Sequence, residues 1–149
     1  MTDTSRRRPS FRVLALITVC LLGVATLSTG CKPTKFSGKA QNLINSERAR
    51  RGLPELAWDE NAADKAQAWA QKLAASRSLS HSRLTDGIEG SWCVLGENVG
   101  FARSIDETHN GFMNSAKHRE AILNGGYRSV GIGVAQNGGL VYVVEVFRG

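Results

Sequence analysis

Leu140 to Phe147 constrains the fold more than any other stretch of this chain. Val141, Val143 and Phe147 would fall on one face of a strand and Tyr142, Val144 and Val146 on the other, so both faces are apolar. Such a strand has to be covered on both sides, which calls for helices above and below a small sheet. Ser129 to Ala135 is similarly rich in Val and Ile. The Asn137-Gly138-Gly139 between the two stretches is a strong hairpin signal. Glu145 is the odd residue in the second strand. It is either a buried carboxylate that needs a partner or a raised pKa, or an edge residue that reaches solvent.

The helices needed to cover such a sheet lie upstream, because only 4 of the 16 glycines precede residue 87. Ser37 can cap a helix that carries Ala40, Leu43, Ile44 and Glu47 and ends at Gly52. Asp59 can cap a second, in which Ala62, Ala63, Ala66, Trp69, Ala70 and Leu73 make one apolar stripe. A third is expected over about Ile105 to Asn114, with His109 on its surface. A short fourth begins at Ser115 and ends at Gly125-Gly126.

Net charge is +6, but residues 1 to 30 supply +3 of it and residues 31 to 149 the other +3. No block of like charge follows residue 31, which argues against a nucleic-acid partner. Three arginines, an uncharged run from Val13 to Leu27 and small residues up to Cys31 have the order of an export signal. That run of 15 residues is short for a membrane span, which needs about 20. Ser28-Thr29-Gly30-Cys31 resembles the lipobox of bacterial lipoproteins, with Ser28 where that pattern prefers Leu. The resemblance implies cleavage before Cys31 and lipid attachment to it. The chain then divides into a signal peptide at 1–30, the lipid-attachment Cys and linker at 31–39, and a domain at 40–149. Arg7-Arg8 lacks the apolar pair expected next in a twin-arginine signal. Cys20 leaves with the signal, so Cys93 stands alone in the mature domain, and its apolar neighbours suggest a small core residue.

The residues able to carry chemistry are His81 in Ser80-His81-Ser82, Glu97 in Gly96-Glu97-Asn98-Val99, and His118 after Asn114-Ser115-Ala116-Lys117. Their spacing matches no short metal motif. Taken alone, each His reads as a hydrogen-bonded structural residue before it reads as a ligand.

Together and in order, these segments resemble the bacterial branch of the CAP superfamily, which holds cysteine-rich secretory proteins, antigen 5 and the pathogenesis-related proteins. Asn45-Ser46-Glu47-Arg48, Gly52-Leu53-Pro54-Glu55-Leu56, the three segments above, Phe112-Met113-Asn114-Ser115 and Val130-Gly131-Ile132-Gly133 carry the likeness, which covers about Ala40 to Phe147. It implies an α+β fold, a three-layer α-β-α sandwich around a small antiparallel sheet. It also implies a cleft where two His and two Glu can hold a divalent metal such as Zn2+, with His81, His118 and Glu97 as ligands. The second Glu falls on Ser115 here, and Glu145 stands where bacterial members often have Gln. The cleft set is therefore His81, Glu97, Asn98, Ser115, His118 and Glu145.

Ser115 as a cap would put His118 in the first turn of its helix, where the dipole lowers an imidazole pKa. Glu97 would serve either as general base toward a metal-bound water or as the partner of a charged His81. The functional expectation is an exported, lipid-anchored protein of the cell envelope, held at the outer face of the cytoplasmic membrane in preference to free secretion, that binds an unknown ligand or envelope partner through its cleft. The alternative is a metal-dependent hydrolase acting on peptide or cell-wall material.

Overall fold

A computed structural model describes Met1 and residues 32–149. Residues 2–31, where the export signal and Cys31 lipid site are expected, lie outside the described residues. Four helices and four strands follow in the order α1 (Lys35–Ala49), β1 (Ala57–Trp58), α2 (Glu60–Ser76), β2 (Leu95–Ala102), α3 (Ile105–Asn114), α4 (Ala116–Leu123), β3 (Ser129–Asn137) and β4 (Leu140–Arg148). The strands lie side by side as β1-β3-β4-β2. β4 runs antiparallel to both neighbours, and β1 adds a two-residue parallel pairing to β3, so the sheet is mixed.

The doubly apolar strand is the inner one, with Val141 through Phe147 buried without a break. Two clusters result. Ile44, Phe112, Ile122, Val130, Ile132, Val143 and Phe147 fill the space under α1, α3 and α4. Ala62, Ala66, Ala70, Leu73, Val99, Tyr142, Val144 and Val146 fill the space under α2. Among the described residues both clusters are drawn from between Ala40 and Phe147, so this stretch carries a core of its own. The hairpin turn is Gly138-Gly139 with φ of 60° and 77°. Those left-handed values belong to a two-residue turn matching strand twist.

The alanine stripe of α2 is explained by its neighbour across the interface. A Cβ on Gly131 would fall on the backbone of Ala62 and Ala63, and one on Gly133 on Ala66. Small residues on both elements therefore bring helix and sheet unusually close. Asp59 caps α2 as expected, accepting from the Ala62 N–H at 2.9 Å. Trp69 lies at the margin of the stripe, half-buried, with its indole N–H donating to the Ser80 carbonyl at 2.9 Å and the Lys72 ammonium 4.6 Å from the ring centre.

Other local expectations are corrected. Thr34, not Ser37, caps α1; Ser37 is the reciprocal partner in a capping box. Ser115 occupies the cap position of α4 but makes no capping hydrogen bond through its side chain. His109 is buried beside Ile105, Thr108 and Phe112, because its place in α3 continues their helical spacing. Neither of its ring nitrogens has a hydrogen-bond partner among the described residues. Cys93 is exposed, in the loop that leads into β2 rather than in the core. Arg48 is wholly buried, donating to the carbonyls of Pro54, Ile122 and Asn124 and so satisfying the open C-terminal end of α4. Asn45 likewise pairs both polar atoms with the Leu56 backbone.

Candidate functional site

The sandwich leaves β2 as an edge strand, and the expected residues gather along it. Alternation sends Glu97, Val99 and Phe101 toward the α2 side and Gly96, Asn98 and Gly100 toward α3 and α4. Gly96 and Gly100 are needed for room. Tyr127 occupies the place of a Cβ on the first, and the Phe112 ring lies 2.6 Å from a Cβ on the second.

Glu97 holds the loop that follows α2. One carboxylate oxygen accepts from the Ser82 N–H at 2.9 Å and contacts His81 Nδ1 at 2.8 Å. The other accepts from the Ser82 hydroxyl at 2.6 Å. The Glu97 side chain is only 3% exposed, whereas that of His81 is 63% exposed. The carboxylate is thus a clamp fastening residues 81–82 to β2, and it leaves the His81 ring free to face solvent. From sequence alone Ser82 is a cap or turn residue; its role needs the fold, because its partner is 15 residues away.

His118 approaches the same edge from the other layer, in the first turn of α4. Its ring packs edge-on against Phe112 at 5.0 Å. Burial holds its imidazole below the ordinary histidine range, and the nearby His81 charge lowers it further. The lowering expected from sequence is present, with burial as its main cause. Asn98 joins this layer to the sheet: its amide donates to the His118 carbonyl at 3.2 Å and to Glu145 Oε2 at 3.0 Å. Glu145 is the buried carboxylate, not the edge residue. It lies on the inner strand, and burial pushes its pKa up to about 8 against the opposing pull of Asn98. A proton on it is the cheaper state at neutral pH. Glu145 therefore lies beneath the cleft as a support for Asn98.

Among the described residues no group of three or more His, Cys, Asp or Glu side chains is placed to hold a metal ion. The reason lies in the donor set. Both Glu97 oxygens are taken by His81 and Ser82, Ser115 replaces a carboxylate, and Glu145 is held by Asn98. The expected His81, His118 and Glu97 set is not gathered into such a group among the described residues.

What the edge does form is a groove of about 330 Å³ between β2 and α3. Leu79, Val99, Phe101 and Phe112 make its walls apolar, with Ser115 and His118 at one end. Leu79 and Phe101 are 47% and 43% exposed, high for large apolar side chains. Phe101 also contacts the Tyr142 ring at 5.2 Å. Neither residue stands out in the sequence, although Phe101 continues the alternation of Glu97 and Val99.

Sheet order, the clamped His-Glu pair and the second His on α4 describe a cysteine-rich secretory protein domain. The family model for the cysteine-rich secretory protein (CAP) family matches residues 41–147, and the chain belongs to this family. An uncharacterized protein of Bacillus subtilis, YkwD, is 27% identical over 124 residues, covering 77% of this chain and 48% of that relative. The structure of an extracellular protein containing an SCP domain from Bacillus anthracis superposes with a TM-score of 0.64 at 27% identity, covering 74% of this chain and 39% of that one. An outer surface protein of Borrelia burgdorferi shares the fold with a TM-score of 0.67 at 20% identity, covering 80% of this chain and 97% of that one. The chain spans about half the length, or less, of the curated Bacillus subtilis relatives it matches.

Proposed function

We propose that this is an exported protein of the cell envelope, tethered by lipid on Cys31, whose domain binds an apolar ligand or partner segment in the groove along β2. The observation that carries this reading is the groove itself: large apolar side chains left exposed beside a polar end formed by Ser115 and His118. Concave apolar walls with a few fixed polar groups are what binding sites require. The extracellular and outer-surface descriptions of two similar proteins support the exported setting. The tether is assigned to Cys31 because the lipobox-like Ser28-Thr29-Gly30-Cys31 follows an apolar run that is short for a membrane span.

Binding is favoured over turnover because Glu97, the carboxylate that pairs with His81, is almost fully buried and directs three contacts at His81 and Ser82 rather than into the groove. A general base needs a free lone pair aimed at the reacting proton. The open ring positions of His81 and His118 suit hydrogen bonding to a polar group on the ligand.

Titration with the fluorescent apolar dye anilinonaphthalene sulfonate tests this. One saturable site is expected, weakened about tenfold or more by Phe101→Asp, which corresponds to about 1.4 kcal/mol. Trp92→Ser, which alters an exposed aromatic outside the groove, leaves it unchanged. Equal affinity in wild type and Phe101→Asp would remove the groove as the site.

A further inference from the structure

Only Lys32, Pro33 and Thr34 separate Cys31 from the first residue of α1. An extended chain covers at most about 3.6 Å per residue, so the start of α1 lies within about 14 Å of Cys31. A lipid there brings one end of the sandwich, and no other, against the bilayer surface.

That end is chemically distinct. Lys35, Phe36 and Lys39 of α1 surround a hollow of about 230 Å³ together with Arg103 and Gln136. Arg103 also lines the adjoining hollow at the hairpin tip, beside Gly138 and Gly139. On the far side of the hairpin, Arg77 and Phe101 line a third. The shared residues make these one continuous surface. Phe36 is 46% exposed on it and Phe101 43%. Its acidic groups are already engaged, Asp106 by the Lys39 ammonium and Glu107 by the Arg103 N–H. With Lys32, five of the 15 cations and two of the 12 acidic residues of positions 31–149 lie at this end, which is the whole formal net charge of +3. Ten residues of each sign make up the rest.

We infer that this end, Phe36 and Phe101 among Lys35, Lys39, Arg77 and Arg103, is a membrane-docking face for anionic phospholipid headgroups. The inference rests on the Cys31 tether for bringing the face to a bilayer, and on the surface alone for its preference for negative charge. Cations near an anionic surface each strengthen attachment by a factor of about five, and an exposed aromatic ring settles into the interfacial layer. Because Phe101 also walls the groove, docking places the groove mouth beside the headgroups.

Two measurements separate the face from the tether. Residues 32–149, without any lipid, are sedimented with vesicles of phosphatidylcholine alone or with added phosphatidylglycerol. Partitioning is expected only onto the anionic vesicles, falling with salt. It should drop about tenfold or more in Lys35→Glu with Arg103→Glu, and fall in Phe36→Ser. Arg50→Glu with Arg83→Glu, the same charge change elsewhere, should have a smaller effect. Equal binding to both vesicle types, or equal loss in both charge-reversed pairs, overturns the docking face. Intact mass of the mature protein made from the full chain reads the tether directly. A Cys31 without acyl mass beside selective vesicle binding removes the tether and keeps the face; acyl mass without lipid selectivity does the reverse.

Discussion

Alternate residues of β4 face two different kinds of interior. Tyr142, Val144 and Val146 meet α2, where alanines lie directly on Gly131 and Gly133 and Gln67 pairs its amide with the Val134 backbone beside them. Val141, Val143, Glu145 and Phe147 meet the layer of α1, α3 and α4, which also buries Arg48, Asn98, His109 and Glu145. Arg48 and Asn98 there make several hydrogen bonds, while the His109 ring nitrogens have no hydrogen-bond partner among the described residues. The close-packed side fixes the spacing of α2 on the sheet. The polar side fixes α4, and with it His118, at the edge where the groove opens.

The largest expected effect falls on the close-packed side. Gly131→Val would drive a side chain into the α2 backbone, which can yield only by moving the helix. The cost should exceed ~4 kcal/mol, at the severe end for single substitutions. Urea denaturation measures it, and a midpoint near wild type would show that the helix-sheet spacing is slack.

On the polar side, Glu145→Gln should stabilise the protein at neutral pH. The folded pKa of about 8 lies above the ordinary 4.5, so between these values the folded state holds a proton that the unfolded chain has lost. Stability from this group is full below the lower value and lost as pH rises through the upper one. Gln, which cannot ionise and still accepts from Asn98, removes that loss. The gain should be on the order of 3 kcal/mol at pH 7 and vanish near pH 4. Thermal melts at the two pH values decide this, and a gain that does not depend on pH would assign it to packing instead.

A smaller change is expected at His109, whose ring nitrogens are unpaired and whose imidazole burial keeps below the ordinary range. His109→Leu should raise stability by about 1 kcal/mol, since an unpaired buried polar group costs more than an apolar one of similar size. Destabilisation would mean that the ring has a partner. Least affected should be the response to a chelator, which is expected to leave both the thermal midpoint and dye binding unchanged, since hydrogen bonds and packing hold the groove.

The two sides also differ in how readily the sequence discloses them. Asp59, the alanine stripe and Gly131-Ile132-Gly133 are local patterns, and each appears where its spacing places it. β2 is harder to foresee, because Gly96 and Gly100 weaken a strand signal for the sake of Tyr127 and Phe112, which come from distant parts of the chain. The role of Glu97 as a clamp on Ser82 depends on a contact that only the folded chain creates. His109 carries a signal in its spacing from Ile105 and Phe112, but its polarity points outward.

Backbone amide resonances of residues 32–149, followed as anilinonaphthalene sulfonate is added, test the groove most directly. The account predicts shifts concentrated on Gly100, Phe101, Thr108, Phe112, Ser115 and His118, with the α2 face silent. Saturable shifts centred anywhere else on the domain, with these six unmoved, would contradict it.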